Sequence, residues 1–283
     1  MQKLDRLGWA AGVAFTSFGL SIGVRVNTPD VPADVLACLP PGWVRQDSPV
    51  VDYLLSLRLG GVRPRPGVRE FHLLYSELRP STRTTDRDVA LTILETEIQL
   101  HIARQAQNRV FVHAGAVGWR GRAIVLPGKS HAGKSTLVKA LLEAGATYYS
   151  DEFAVFDAQG NVHPYPRRLS LRRPGGMDRV PAESLGAETG KDALRVGMIV
   201  RTEYRPGAEW QPQRLSSGKT LMELASHAMP EVTQTAAGQD ALGHLALSVP
   251  AYRSFRGEAV SAAADILRAM DALPLSPHER SSP

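Results

Sequence analysis

The spacing of apolar residues along this chain changes several times, and each change predicts an element. Leu20, Ile22, Val24 and Val26 alternate with small or polar residues, the period of a half-buried strand. Phe71–Tyr75 reads as another strand. Helical spacing then takes over: Val89, Ile93, Leu94, Ile98 and Ile102 follow Thr85 and Asp86. Either of those two can cap a helix, which should end near Asn108. Strands return at Val110–Val117, with a hairpin turn at Trp119–Gly121 leading into Ala123–Leu126. Lys134–Ala144 carries Leu137, Val138, Leu141 and Leu142 at helical spacing, and Gly145 sits where a capping glycine belongs. Thr147–Ser150, Phe153–Phe156 and Val162–Tyr165 read as strands, with turn composition over Asp157–Asn161. Leu221–Ala225 looks like part of an amphipathic helix, flanked by Lys219 and by His227, for which a structural role is expected.

Punctuation divides the chain. Residues 1–84 are broken by Pro- and Gly-rich clusters at Val31–Pro32, Pro40–Gly42 and Arg63–Gly67, which mark turns. They form an α+β N-terminal region suited to substrate docking or oligomerisation. Residues 85–108 form a connecting helix and 109–273 an α/β catalytic domain. Residues 274–283, rich in Pro and Ser, form a loose tail.

Composition narrows the field. Across 283 residues, 43% are hydrophobic and 22% charged, as in a soluble globular protein. The net charge of +5 is spread along the chain, so no basic arm marks a nucleic-acid binder. Trp9, Trp43, Trp119 and Trp210 are too scattered for a base-stacking platform. Lys3 and Arg6 precede an apolar-leaning stretch, but Thr16, Ser17, Gly19, Ser21 and Gly23 interrupt it, so it reads as strand and not as a targeting segment. No segment approaches the length of a membrane span. Cys38 is the single cysteine, which excludes an internal disulfide and favours a reducing, cytoplasmic setting.

The chemistry concentrates at Gly128–Thr136, which contains G-x-x-x-x-G-K-S. Its glycines let backbone N–H groups wrap a phosphate closely, which is the P-loop arrangement. Gly128, Ser130, His131, Ala132, Gly133, Lys134, Ser135 and Thr136 are therefore candidate contacts to a nucleoside triphosphate. Lys134 would reach the β and γ phosphates, and the Ser135 hydroxyl would ligate Mg²⁺. An apolar strand before the loop and an amphipathic helix after it supply the required context. Asp151 and Glu152 close the strand after that helix. In a parallel sheet the carboxyl end of that strand faces the loop, so both residues are candidate metal ligands and Asp151 a candidate base. His113, upstream, lies in an apolar strand beside Ala114 and Gly115, which leave room for a ligand.

This arrangement resembles the HPr kinase/phosphorylase family, and more closely its shortened HPr-kinase-like relatives. His113 stands fifteen residues before Gly128, and Asp151 twenty-three after it, as the family's strand histidine and first acidic residue do. The resemblance covers roughly residues 108–175. It implies an ATP- and Mg²⁺-dependent serine kinase with a fold similar to phosphoenolpyruvate carboxykinase, acting on a protein or peptide. It also implies that Lys134 and Ser135 contact phosphate and magnesium, that Asp151 is the general base with Glu152 beside it, and that His113 lies near the transferred phosphate. The family's Leu-Glu-Ile-Arg-Gly-like segment is absent. Its nearest counterpart, Ser170–Gly176, keeps Arg172 and Arg173 but no glutamate, and the phosphorylase segment is absent too. Dephosphorylation, HPr as acceptor and the hexamer are therefore not carried over, although a homo-oligomer fits.

Weaker candidates surround this core. Arg167, Arg168, Arg172 and Arg173 suit phosphate or an acidic peptide, or a solvated loop. Arg253 and Arg256 are placed over the triphosphate by fold analogy alone. Two rival readings stay open: a kinase for a small metabolite alcohol or free serine, and a nucleotide-binding regulatory module with little transfer activity.

Overall fold

The alternation at 20–26 becomes a strand that buries Leu20, Ile22, Val24 and Val26, because successive side chains of a strand point to opposite faces. The computed structural model describes residues 3–61, 67, 69–77, 79–128, 133–173 and 176–274. The architecture is mixed α/β, in two units, Met1–Gln107 and Asn108–Pro283. Of the expected tail, residues 275–283 lie outside the described residues. No helix among the described residues is long and apolar enough to cross a membrane.

The first unit contains β1 (Ala11–Ser17), β2 (Leu20–Val26), the short α1 (Ala33–Leu36), β3 (Val44–Arg45), β4 (Tyr53–Arg58), β5 (His72–Ser76), β6 (Arg79–Thr84) and α2 (Arg87–Gln105). Its sheet has the order β3-β1-β2-β4-β5-β6, and only the β2–β4 pairing is parallel. The helix α2 packs on β5 and β6 and buries Leu94, Ile98 and Ile102 completely. Asp86 caps it by accepting from the N–H groups of Asp88 and Val89, satisfying two donors that the first turn leaves orphaned. Its end falls at Gln105, three residues short of the expected Asn108, because Ala106 turns to an extended conformation with ψ of 131°.

The second unit contains β7 (Val110–Trp119), β8 (Arg122–Pro127), α3 (Lys134–Glu143), β9 (Thr147–Ser150), β10 (Phe153–Phe156), β11 (Asn161–His163), β12 (Leu169–Arg173), β13 (Gly176–Val180), β14 (Leu194–Tyr204), β15 (Gln213–Arg214), α4 (Ser217–His227), α5 (Pro230–Thr233), α6 (Ala236–Ser248), β16 (Ala251–Arg256) and α7 (Ala259–Ala272). The main sheet has the order β11-β10-β7-β8-β14-β16-β15, and β9 joins β7 beside β10. β8, β14 and β16 run parallel, so their carboxyl ends emerge on one side. The β7–β8 turn has positive φ at both Arg120 and Gly121, which matches the twist of a two-residue hairpin.

Thr147–Ser150 is not the parallel neighbour expected of the strand that enters the glycine-rich loop. The tight turn at Arg120–Gly121 folds β8 back along one edge of β7, so β9 takes the other edge, antiparallel to β7. Because both flank β7 in the opposite sense, β8 and β9 still point the same way. Their carboxyl ends therefore share a side of the sheet.

Leu137, Val138 and Leu141 of α3 and Ile266, Leu267 and Met270 of α7 share one core with Val117, Ile124, Met198 and Val200. The end of α3 is fixed by bonds from Gly145 N–H to the Leu142 carbonyl and from Ala146 N–H to the Leu141 carbonyl, the Schellman pattern that uses a left-handed glycine. Gly115 lets α3 approach β7: a Cβ there would lie 2.6 Å from Val138 Cγ2. Gly115→Ala should cost about 1–3 kcal/mol through overpacking. A lowered urea midpoint with an unaltered slope is the expected result, and an unmoved midpoint would refute this packing.

Candidate functional site

The edge of β7 organises the site. Residues 114–119 pair with β8. Where β8 ends, the Gly128 N–H donates to the His113 carbonyl at 3.1 Å. Farther along the same strand, Val112 bridges Ala228 and Phe111 accepts from the Met229 N–H at 3.3 Å. The start of the glycine-rich loop and the end of α4 thus occupy successive positions along β7. Lys129, Ser130, His131 and Ala132 lie outside the described residues. The description resumes at Gly133, which adopts φ of 76° and caps α3. Lys134 and Ser135 are half-buried in the first turn and Thr136 is exposed. The first turn of a helix presents free N–H groups and a positive dipole end, a setting that attracts anions.

Asp151 is 6% exposed and stands in the short gap between β9 and β10, both paired with β7. Burial pushes its carboxyl above the usual carboxylate range. The Lys134 charge, a hydrogen bond from Ser135 and the Ser170 backbone pull it down without cancelling that effect. Among the described residues its Oδ1 has no hydrogen-bond partner, and it is buried. A native carboxylate oxygen left in this state is rare and points to an absent ligand or cation. Glu152 is half-exposed, and its Oε1 lies 3.6 Å from His113 Nδ1. The His113 ring packs against Phe153 with centroids 4.4 Å apart. Burial depresses its pKa first, followed by the charge of Lys134. The fold thus gathers His113, Lys134, Ser135, Asp151 and Glu152 from three segments.

Among the described residues, no group of three or more His, Cys, Asp or Glu is arranged to hold a metal ion. The oxygens of Ser135, Asp151 and Glu152 nevertheless fit a hard cation that completes its shell with phosphate and water, and the orphaned Oδ1 supplies an unused ligand atom.

Of the two arginines beside Phe255, Arg253 is exposed and approaches Glu203 at 3.7 Å. Arg256, 3% exposed, donates from Nη2 to the Gly133 carbonyl at 2.9 Å and from Nη1 to the Gly257 carbonyl at 3.0 Å. A Cβ on residue 133 would meet Nη2 at 2.5 Å, so a side chain there would push aside the end of Arg256, and the φ of 76° is itself one that favours glycine. This brace was not readable from local sequence, since the two residues are separated by 123 positions. In the basic cluster, the Arg167 carbonyl accepts from the Tyr148 hydroxyl at 2.6 Å and Arg168 and Arg172 are exposed. The Arg173 side chain lies outside the described residues.

No protein-family model matches this chain, and no curated protein does. Among solved structures it is similar to the Hpr(Ser) kinase/phosphatase from Coxiella burnetii, with 12% identity and a TM-score of 0.31, over 56% of this chain and 93% of that one. A likeness of that size leaves the functional reading to the site's own geometry.

Proposed function

We propose that this chain is an ATP- and Mg²⁺-dependent phosphotransferase that moves the γ-phosphoryl group to a serine hydroxyl on a protein or peptide. The observation that carries the reading is Asp151: a buried carboxylate with an unmatched oxygen, beside Lys134 and Ser135 at the head of a helix entered through a left-handed glycine. Lys134 holds the β and γ phosphates, and the loop amides and the first turn of α3 receive their oxygens. Asp151 accepts the proton of the attacking hydroxyl as the new oxygen–phosphorus bond forms. The bond from the γ-phosphorus to its bridging oxygen breaks, and ADP leaves. Ser135, Asp151 and Glu152 would hold Mg²⁺, which supplies charge neutralisation for the phosphates. Phosphoryl transfer asks for positioning and charge, with little covalent work from the protein.

Calorimetry with ATP and Mg²⁺ should show one binding site. Labelled ATP offered with a serine-peptide array and a metabolite panel should label the peptides. Failure to bind any nucleotide would remove the proposal, and labelling of a metabolite alone would replace its acceptor.

The brace from Arg256 gives a separate expectation. Arg256→Met removes the donor to the Gly133 carbonyl, and a hydrogen bond from a charged group is worth about 1.5–3 kcal/mol. ATP should bind about tenfold more weakly or worse, as read by titration calorimetry. Unchanged affinity would show that the loop holds its shape without this contact.

A further inference from the structure

A cavity of about 480 Å³ opens at the amino ends of β8, β14 and β16. That is the opposite end of the sheet from Gly128 and Asp151, and the volume is that of a small-molecule site. Arg122, Arg195, Arg214 and His244 line it, and among the described residues no Asp or Glu does. Arg122 and Arg195 are register partners on parallel strands, so their side chains leave the same face of the sheet at neighbouring positions. A cleft lined by one sign of charge concentrates ions of the other.

Arg122 sets the chemistry. It is 8% exposed, and its stem crosses the bare backbone of Gly197, where a Cβ would lie 3.0 Å from Arg122 Cβ and 3.1 Å from Cδ. Its Nη2 donates to the Met270 carbonyl at 3.1 Å and its Nη1 to the Pro274 carbonyl at 3.4 Å. Both bonds hold the guanidinium in place, and both acceptors are neutral. Among the described residues Arg122 has no carboxylate partner, and its Nε is buried without an acceptor. A guanidinium stays charged at any ordinary pH, and a buried charge is costly unless an opposite one accompanies it. The cavity beside Arg122 is where an opposite charge can enter.

A helix end adds to this. Ser217, the first residue of α4, lines the cavity, and a first turn brings free N–H groups and a positive dipole end. The Ser216 side chain caps the Lys219 N–H alone. The last turn of α6 lines another wall; its carbonyls accept, so they suit a hydroxyl of a ligand and not its anionic group.

We infer that this cavity binds a small organic acid whose oxyanion lies among Arg122, Arg214 and the head of α4, and that this ligand is separate from the substrates of phosphoryl transfer. The inference does not rest on the phosphotransferase reading, because the cavity shares no residue with the transfer site.

Titration calorimetry and thermal unfolding of the full chain, at constant ionic strength, test it with citrate, malate and inorganic phosphate. The chain carries Lys134→Ala, so that an anion held by the glycine-rich loop is not mistaken for one held here. At least one of the three should bind at a single site and raise Tm, and the one that binds tells a carboxylate from a phosphate. Adding Arg214→Glu, on the exposed rim, should weaken that binding about tenfold or more, the scale of one charge-assisted contact. Adding Arg122→Met should abolish it. Binding of none of the three, equal binding after Arg214→Glu, or a rise in Tm that chloride matches would each overturn the inference. If the Arg122→Met chain does not fold, the Arg214→Glu comparison still decides.

Discussion

Asp151→Asn is expected to cut phosphoryl transfer by about 10²-fold or more, the scale of losing a general base, with ATP affinity nearly unchanged. The amide keeps an oxygen for a cation but cannot take the hydroxyl proton. Stability offers a second signature. Burial raises the folded-state pKa of this carboxyl, so ionising it costs more in the folded chain than in the unfolded one. Its effect on stability is absent below the unfolded pKa, grows unfavourable as pH rises toward the folded pKa, and persists at neutral pH. The ligand-free Asn variant should therefore unfold at neutral pH in no less urea than wild type, and the difference should fade in acid. A variant that turns over normally would remove Asp151 from the base role. One that unfolds far earlier would make it a structural residue.

Lys134→Ala should weaken ATP binding by about 10²-fold. Two charge-assisted contacts to phosphate, at about 1.5–3 kcal/mol each, set that scale. Lys134 is half-buried at the head of α3 and close enough to Asp151 and His113 to influence both. Removing its charge should therefore affect transfer beyond the loss of affinity, even at saturating ATP. Calorimetry that returns the wild-type affinity would contradict the phosphate-loop assignment.

How much of this was legible depended on whether the signal was local. The strands at 110–119, 122–127, 147–150 and 153–156 could be read because their apolar runs sit between clear turn residues. The helix α3 was readable at both ends, since Gly133 and Gly145 take positive φ, which other residues avoid. Elements that depend on distant partners left weaker traces. β14 and β16 pair in parallel across helices that intervene in sequence, and neither carries a turn signature announcing its neighbour. The hairpin of β12 and β13 was hidden among Arg and Gly residues that also suit a loop. Val162–Tyr165 was extended two residues too far, because Tyr165 is buried without belonging to the strand. At the site, residue types and spacing marked out His113, Lys134, Ser135 and Asp151. They could not show that Arg256 reaches Gly133, since that contact depends on how remote segments meet.

The bond between Arg256 and Gly133 also bears on the order in which the protein is made. Once α3 has followed the glycine loop out of the ribosome, β7, β8 and α3 can already form through neighbouring contacts. The guanidinium that clamps the loop leaves the ribosome only after a further 123 residues have been added. Until then the carbonyl of Gly133 has water for company, and a chain released before β16 would carry the loop's full sequence with its latch missing.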